Sequence, residues 1–356
     1  MSGLLELRNV TKVFGGGIFS KNRTTALEDL SFTLDTDQPS ITAIVGESGS
    51  GKTTVARLLL GMISPTKGHI SYKGNDVAEM SRVERKEFRR EVQPIFQDPY
   101  EVFNPFYKVD HVLKVPISKF KLAGSEEEER SMISDALEMV GLRPDETLGR
   151  YPHQLSGGQR QRIMVARSLL LKPRVILADE PVSMVDASLR ATILESIHKL
   201  NRELGISILY ITHDLTTAYQ ISDNILVLYR GSVVEVGSVD AVIKDPKHPY
   251  TQLLVGSIPQ PNPELAWGEG NTSFVPVTNR AVNGCKFADR CDSVMDLCWN
   301  NVPPRYQLDR HRVATCHLFR DSPIMTGSDV SQVFVAGPET GPGRPHPESD
   351  GSQTHT

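Results

Sequence analysis

Four apolar runs punctuate the first 255 residues: ITAIVG (41–46), RVILAD (174–179), ISILYIT (206–212) and NILVLY (224–229). A strand wetted on one side alternates apolar and polar positions. A nearly unbroken run of strand length is covered on both faces, the usual state of parallel strands in α/β domains. Between these runs the pattern changes to helical spacing over 52–61, 158–172 and 187–204. The stretch SEEEERSMISDALEMVGL (125–142) begins acidic, where a helix N-terminus favours negative charge, and then turns amphipathic. The pattern predicts an α/β domain over residues 1–255.

From residue 256 the texture changes. SIPQPNPELAWGEGNTSFVPV is rich in Pro and Gly, has no period, and reads as a linker. A window holding all four cysteines of the chain follows, up to about residue 321. Residues 322–356 lack the apolar content that offsets ordering entropy and are expected to be a disordered tail. Across 356 residues the formal net charge is −4, which offers no bulk electrostatic reason to bind nucleic acid. No apolar run approaches the length that spans a bilayer, and the N-terminus lacks a signal-peptide pattern. A cytosolic chain is expected, one that would meet a membrane only peripherally.

The chemistry starts directly after the first apolar run. GESGSGKT, comprising Gly46, Glu47, Ser48, Gly49, Ser50, Gly51, Lys52 and Thr53, matches the Walker A pattern and is followed by Thr54. It stands between a strand and a helix, the context that pattern requires. The glycines let the loop curl so that backbone N–H groups face a phosphate chain, and the helix N-terminus adds positive potential. Lys52 can reach the β- and γ-phosphates of ATP, and the Thr53 hydroxyl can ligate Mg²⁺. The run VILADE ends in two carboxylates: Asp179, placed to hold Mg²⁺ through water, and Glu180, placed to polarise the water that attacks the γ-phosphate.

LSGGQ (155–159) is another glycine turn opening a helix, and it resembles the signature of the ATP-binding cassette (ABC) ATPases. Further family elements follow in the same order: Gln97 in PIFQDP, SMVD (183–186), His213 in ITHD, and the aromatic Phe14 ahead of the Walker A loop. The chain is identified on these motifs as a member of that family. The resemblance implies a P-loop NTPase ABC cassette with a RecA-like α/β core, an antiparallel β subdomain and a helical subdomain at about 98–154. It also implies two cassettes paired head to tail, so that Lys52 of one faces Ser156, Gly157, Gly158 and Gln159 of the other across ATP. The second cassette would be identical or paralogous. Phe14 would stack on adenine, Gln97 would sense Mg²⁺ and the attached transporter, His213 would contact the γ-phosphate, and Asp186 would connect the two sites. The family's usual S-A-L-D reads SMVD here; the Asp is kept.

Family members that work on DNA ends carry a long coiled coil, and ribosome-associated members carry two cassettes; this chain shows neither. KHPYTQLLVGSIPQPNP (247–263) and the cysteine window resemble the C-terminal extension of oligopeptide and dipeptide importer ATPases. That resemblance implies an ATPase energising an importer through two transmembrane permease subunits and, indirectly, an extracytoplasmic substrate-binding protein, with the chain peripheral on the cytoplasmic face. Related importers carry oligosaccharides, opines or nickel complexes. A non-transport ABC ATPase or a metal-sensing regulator is the reading from a different class.

Cys285, Cys291, Cys298 and Cys316 are spaced C-x₅-C-x₆-C-x₁₇-C. Persistent disulfides are not expected in a cytosolic chain. A small loop-rich module gains folding free energy from a metal, and both zinc and an iron–sulfur cluster accept four thiolates. The resemblance to peptide-importer ATPases implies a [4Fe–4S] cluster, with zinc the alternative, and His317 and Asp292 lie beside these ligands.

Overall fold

The structure, a computed structural model, describes residues 4–15, 23–35, 37–98, 103–183, 185, 187–258 and 283–336. Its strands are β1 Leu5–Gly15, β2 Arg23–Leu34, β3 Ile41–Val45, β4 Lys67–Tyr72, β5 Asn75–Asp76 and β6 Val92–Ile95, then β7 Val175–Asp179, β8 Ser207–Thr212, β9 Asn224–Tyr229, β10 Ser232–Ser238, β11 Tyr306–Asp309 and β12 Arg312–Ala314. The main sheet runs in the order β11-β12-β10-β9-β3-β8-β7-β6. Its stretch from β9 to β6 is parallel, and β10, β12 and β11 continue it antiparallel.

The four apolar runs become β3, β7, β8 and β9, buried throughout except at Asp179. Alternate side chains serve different cores, which is why these strands carry no polar face. Val175 and Leu177 pack towards Val55, Leu58 and Leu59 of the helix Lys52–Leu59. Ile176 and Ala178 pack towards Ile163 of the helix Gly157–Leu169 and Ile193 and Ile197 of the helix Ala187–Arg202. A second, antiparallel sheet, β2-β1-β4-β5, lays Leu5, Leu7, Leu27, Leu30 and Phe32 onto the first of these cores.

The helical part contains Val109–Phe120 and Glu126–Met139, joined to the second core through Leu113, Ile117, Ile133 and Leu137. The acidic helix starts where its composition predicts: Ser125 Oγ accepts from Glu128 N at 3.2 Å, and all four residues of the first turn are Glu.

Two expectations for the C-terminal region need correction. The cysteine region is not a separate module, because β12 pairs with β10 and extends the main sheet, while Phe287 and Cys291 enter a core with Tyr229 and Tyr250. Nor is order lost after residue 321. Met325, Val330 and Val333 are buried against the β2 side of the molecule, Phe334 meets Phe32 edge-on at 5.8 Å, and Asn224 exchanges two hydrogen bonds with Val335. The segment is poor in apolar residues, but those it has fall where a ready-made core receives them. The expected linker beyond 258, up to 282, and the tail beyond 336 lie outside the described residues.

Candidate functional site

The phosphate loop spans the gap between β3 and the helix Lys52–Leu59. Two of its glycines are sterically required. Gly46 (φ 152°) and Gly51 (φ 109°) lie where a Cβ would come within 2.2 Å of Leu228 O and 2.5 Å of Ala26 O. Gly51 is also the helix N-cap and supplies no side-chain cap, which leaves the first-turn N–H groups available to an anion. Lys52 is only 7% exposed; its Nζ donates to Gly46 O at 2.6 Å and to Glu47 O at 3.0 Å. Burial lowers its pKa, opposed by the charges of Glu180, Asp179 and Glu47. The Thr53 hydroxyl bonds the Asp179 carboxylate, whose pKa burial raises. Lys52, Thr53 and Asp179 are thus brought together. Ser48, Gly49, Ser50 and Thr54 complete the loop and its first helical turn.

Glu180 follows β7 with φ 47°, an uncommon conformation for a residue with a side chain, and its N–H donates to Ile211 O of β8 at 2.8 Å. Its two carboxylate oxygens are shared. Oε2 accepts from Gln97 Nε2 at 3.0 Å, and Oε1 lies 2.9 Å from His213 Nδ1. The order β8-β7-β6 explains the meeting: Gln97, Glu180 and His213 each stand just past the C-terminal end of one of three adjacent parallel strands. In open α/β sheets that edge is where ligands bind. A carboxylate so held can orient and polarise a water molecule for attack on a phosphoryl group.

Phe14, exposed, sits opposite Thr24 in the β1–β2 ladder, two residues from Ala26, whose carbonyl touches the Gly51 position. The signature segment forms its own capping box: Ser156 Oγ accepts from Gln159 N at 3.2 Å, and Gln159 Oε1 accepts from Ser156 N at 2.9 Å. Gly158 lets the helix approach Leu189, which a Cβ there would strike at 2.5 Å, while Gly157 opens the helix. Among the described residues, neither Ser156 nor Gln159 hydrogen-bonds to the phosphate loop of its own chain. Asp186 lies outside the described residues.

Three contacts to the phosphate loop come from residues after β9 and have no counterpart in the motifs. Glu47 N donates to Tyr250 Oη at 2.8 Å, and the Glu47 carboxylate takes both ends of the Arg290 guanidinium, at 2.9 and 3.0 Å. Gly231 N, in the β9–β10 turn, donates to Ser50 O at 2.8 Å.

The four cysteines are free of disulfides; Cys291, Cys298 and Cys316 are buried and Cys285 half-buried. They lie within electrostatic reach of one another. Burial, then their mutual charge, pushes the Cys291 thiol up to about 11 and the Cys316 thiol up to about 12, and raises Cys285. Backbone hydrogen bonds from Phe287 and Ala288 to Cys285, from Ser293 to Cys291 and from Leu318 to Cys316 work the other way, favouring thiolate. Among the described residues, no three His, Cys, Asp or Glu side chains converge on the position of a single ion. His317 is buried beside Cys316 with Nε2 2.9 Å from Asn301 O, and Asp292 is exposed.

A phosphate loop following β3, acids ending β7 and a serine-capped signature helix that opens on two glycines make this the nucleotide-binding cassette of an ABC ATPase. Residues 27–183 match the ABC transporter family model, and residues 234–298 match that of the oligopeptide/dipeptide transporter C-terminal region. The second match includes Cys285, Cys291 and Cys298 and ends before Cys316. Over 342 residues the chain is 38% identical to "Probable peptide ABC transporter ATP-binding protein y4tS" of Sinorhizobium fredii, covering 95% of this chain and 96% of that one. It is 38% identical over 303 residues to "Dipeptide transport ATP-binding protein DppF" of Haemophilus influenzae, covering 84% and 91%. Among solved structures, the dimeric ATP-binding cassette MJ0796 bound to ADP and Pi is 29% identical with a TM-score of 0.59, over 66% of this chain and 98% of that one. The chain belongs to the ATP-binding proteins of the peptide ABC transporters. No helix among the described residues is long and apolar enough to cross a membrane.

One pH dependence follows from the packing around Tyr250. His248 is buried, accepts from Tyr250 N at Nδ1 (3.0 Å), and has no partner for Nε2 among the described residues; burial holds its pKa down to about 3. Its folded pKa lies below its unfolded value, so its stabilising share is complete above about pH 6.5 and shrinks as pH falls from there towards 3. Glu235 and Asp179, with raised pKa values, work in the opposite sense only as pH falls through their own folded pKa values. Denaturant titrations at pH 7, 6 and 5 should show wild type losing about 1 kcal/mol per pH unit more than His248→Gln below pH 6. Parallel pH profiles would contradict this placement of His248.

Proposed function

We propose that this chain is the ATP-hydrolysing subunit of an importer for oligopeptides or dipeptides. The observation that carries the catalytic part is the carboxylate of Glu180 held between Gln97 and His213 at the sheet edge that also bears Lys52, Thr53 and Asp179. In this reading Lys52 and the loop from Gly46 to Thr54 bind the phosphates, and Phe14 stacks on adenine. Thr53, Gln97 and Asp179 hold Mg²⁺, Glu180 polarises the attacking water, and His213 contacts the γ-phosphate. Ser156, Gly157, Gly158 and Gln159 complete the site of a second cassette, with Asp186 linking the two. Dimerisation is supported by the signature segment, whose Ser156 and Gln159 side chains bond only each other's backbone N–H among the described residues, and by likeness to a dimeric cassette. Peptide cargo is supported by the relatives named above, since no residue described here bears on cargo.

Two permease subunits would be the membrane partners, with an extracytoplasmic binding protein delivering cargo to them. A groove of about 600 Å³ opens between the helices Arg82–Glu91 and Val109–Phe120; Arg82, Arg85, Lys86, Arg89 and Lys119 rim it, over an apolar floor including Phe88 and Phe120. That chemistry suits a short permease helix with one apolar and one acidic face.

The reading of the cysteines as ligands of a [4Fe–4S] cluster is supported by four thiols within mutual electrostatic reach and backbone N–H donors to three of the sulfurs. Bound there, the cluster would add folding free energy to the C-terminal region, and the thiols, raised by burial, would release protons on ligation.

Glu180→Gln keeps the size of the side chain and removes the base. ATP turnover by the assembled transporter should fall by about 10²–10⁴-fold while ATP binding is kept; undiminished turnover would remove Glu180 from the role. Anaerobic purification followed by metal analysis should give about four iron atoms per chain, whereas stoichiometric zinc without iron would refute the cluster.

A further inference from the structure

The Arg290–Glu47 pair joins residues 243 positions apart and ties the turn between the first two cysteines to the phosphate loop. The side chains are 30% and 39% exposed, and an ordinary surface ion pair of that exposure contributes little. This pair is not ordinary in three respects. It is bidentate, which fixes direction as well as distance. The guanidinium is braced by aromatic rings, 5.6 Å from the centroid of Phe287 and 5.8 Å from that of Tyr229. And the same turn has a second route to the loop. Asp289, buried, takes Arg230 at 3.1 Å; Arg230 donates to Lys286 O and Lys286 to Arg230 O; and the adjoining Gly231 N–H holds Ser50 O. With Tyr250 on Glu47 N, the loop is gripped from the C-terminal side at a backbone N–H, a carbonyl and a carboxylate.

These grips matter because the loop must reorganise little when phosphates arrive. Lys52 donates to Gly46 O and Glu47 O, which uses two of its three N–H groups, so the placement of these two loop residues sets where its ammonium stands. Whatever then keeps Gly46, Glu47 and Ser50 in place spares the ligand the cost of ordering them.

We propose that Arg290 is a positioning residue for the phosphate loop, and that through it the cysteine turn and the nucleotide site are thermodynamically coupled. Coupling of this kind is reciprocal: if the turn favours ATP, ATP favours the closed state of the turn and shields its cysteines. The proposal rests on the ATP-binding reading of the loop.

The test uses the full-length chain, Mg-ATP and a maleimide. Arg290→Ala should weaken ATP binding about fivefold, with KM of hydrolysis rising and kcat holding in the assembled transporter; Arg290→Lys, which keeps the charge without the fork, should fall between. In protein whose cysteines carry no metal, bound ATP should slow maleimide labelling of Cys285 in wild type and leave the rate unchanged in Arg290→Ala. Folded variants that bind ATP as wild type does, or that show equal ATP protection of the cysteines, overturn the proposal. If Arg290→Ala does not fold, wild-type affinity and protection in Arg290→Lys overturn the proposal, which rests on the bidentate contact. A wild-type chain that binds no ATP refutes the nucleotide reading itself, which the wild-type arm shows separately.

Discussion

A buried ammonium group organises this molecule. Lys52 opens the helix after the loop that follows a fully buried strand, with two backbone carbonyls as its hydrogen-bond acceptors, and three carboxylates offset the burial that lowers its pKa. A lysine is rarely so buried unless paired, and the chain meets that constraint by bringing Asp179 and Glu180 to the end of β7, on the same edge of the sheet. The same carboxylates crowd one another: Glu180 raises the pKa of Asp179 as Lys52 lowers it. A divalent cation and a polyphosphate would relieve both imbalances, the first for the acids and the second for the lysine.

The parallel sheet makes this arrangement possible. Its C-terminal edge collects Gln97, Glu180 and His213 from three separate strands, and the left-handed Glu180 is kept in place by a backbone hydrogen bond to β8. The C-terminal region extends the same sheet by β12 and β11 and returns to the loop through Tyr250 and Arg290. The region that bears the cysteines is therefore part of the cassette's frame.

Much of this was legible in the sequence. Strands buried on both faces betray themselves as unbroken apolar runs; Glu180 and His213 sit at the boundaries of such runs, where side chains reach the sheet edge, and Lys52 follows one across the glycine loop. The acidic start at Ser125 marked a helix end because capping and charge are local effects. What was not legible is long-range. Nothing near Arg290 signals that its partner is Glu47, and an exposed arginine beside a cysteine has many bland explanations. Residues 322–336 were read as disordered from their average composition, yet Met325, Val330, Val333 and Phe334 suffice once a core formed by distant strands is there to receive them. The approach of one cassette's signature to another's phosphate loop has no trace in a single chain beyond a serine whose hydroxyl caps its own helix.

The buried Lys52 ammonium is the group that would meet the phosphate oxygens of ATP. Calorimetric titration of Mg-ATP into the full-length wild type and Lys52→Met measures what that group contributes to binding. Saturable binding to wild type, with affinity lost by about a hundredfold or more in the variant, is the result this structure predicts; equal affinity in the two proteins would contradict it.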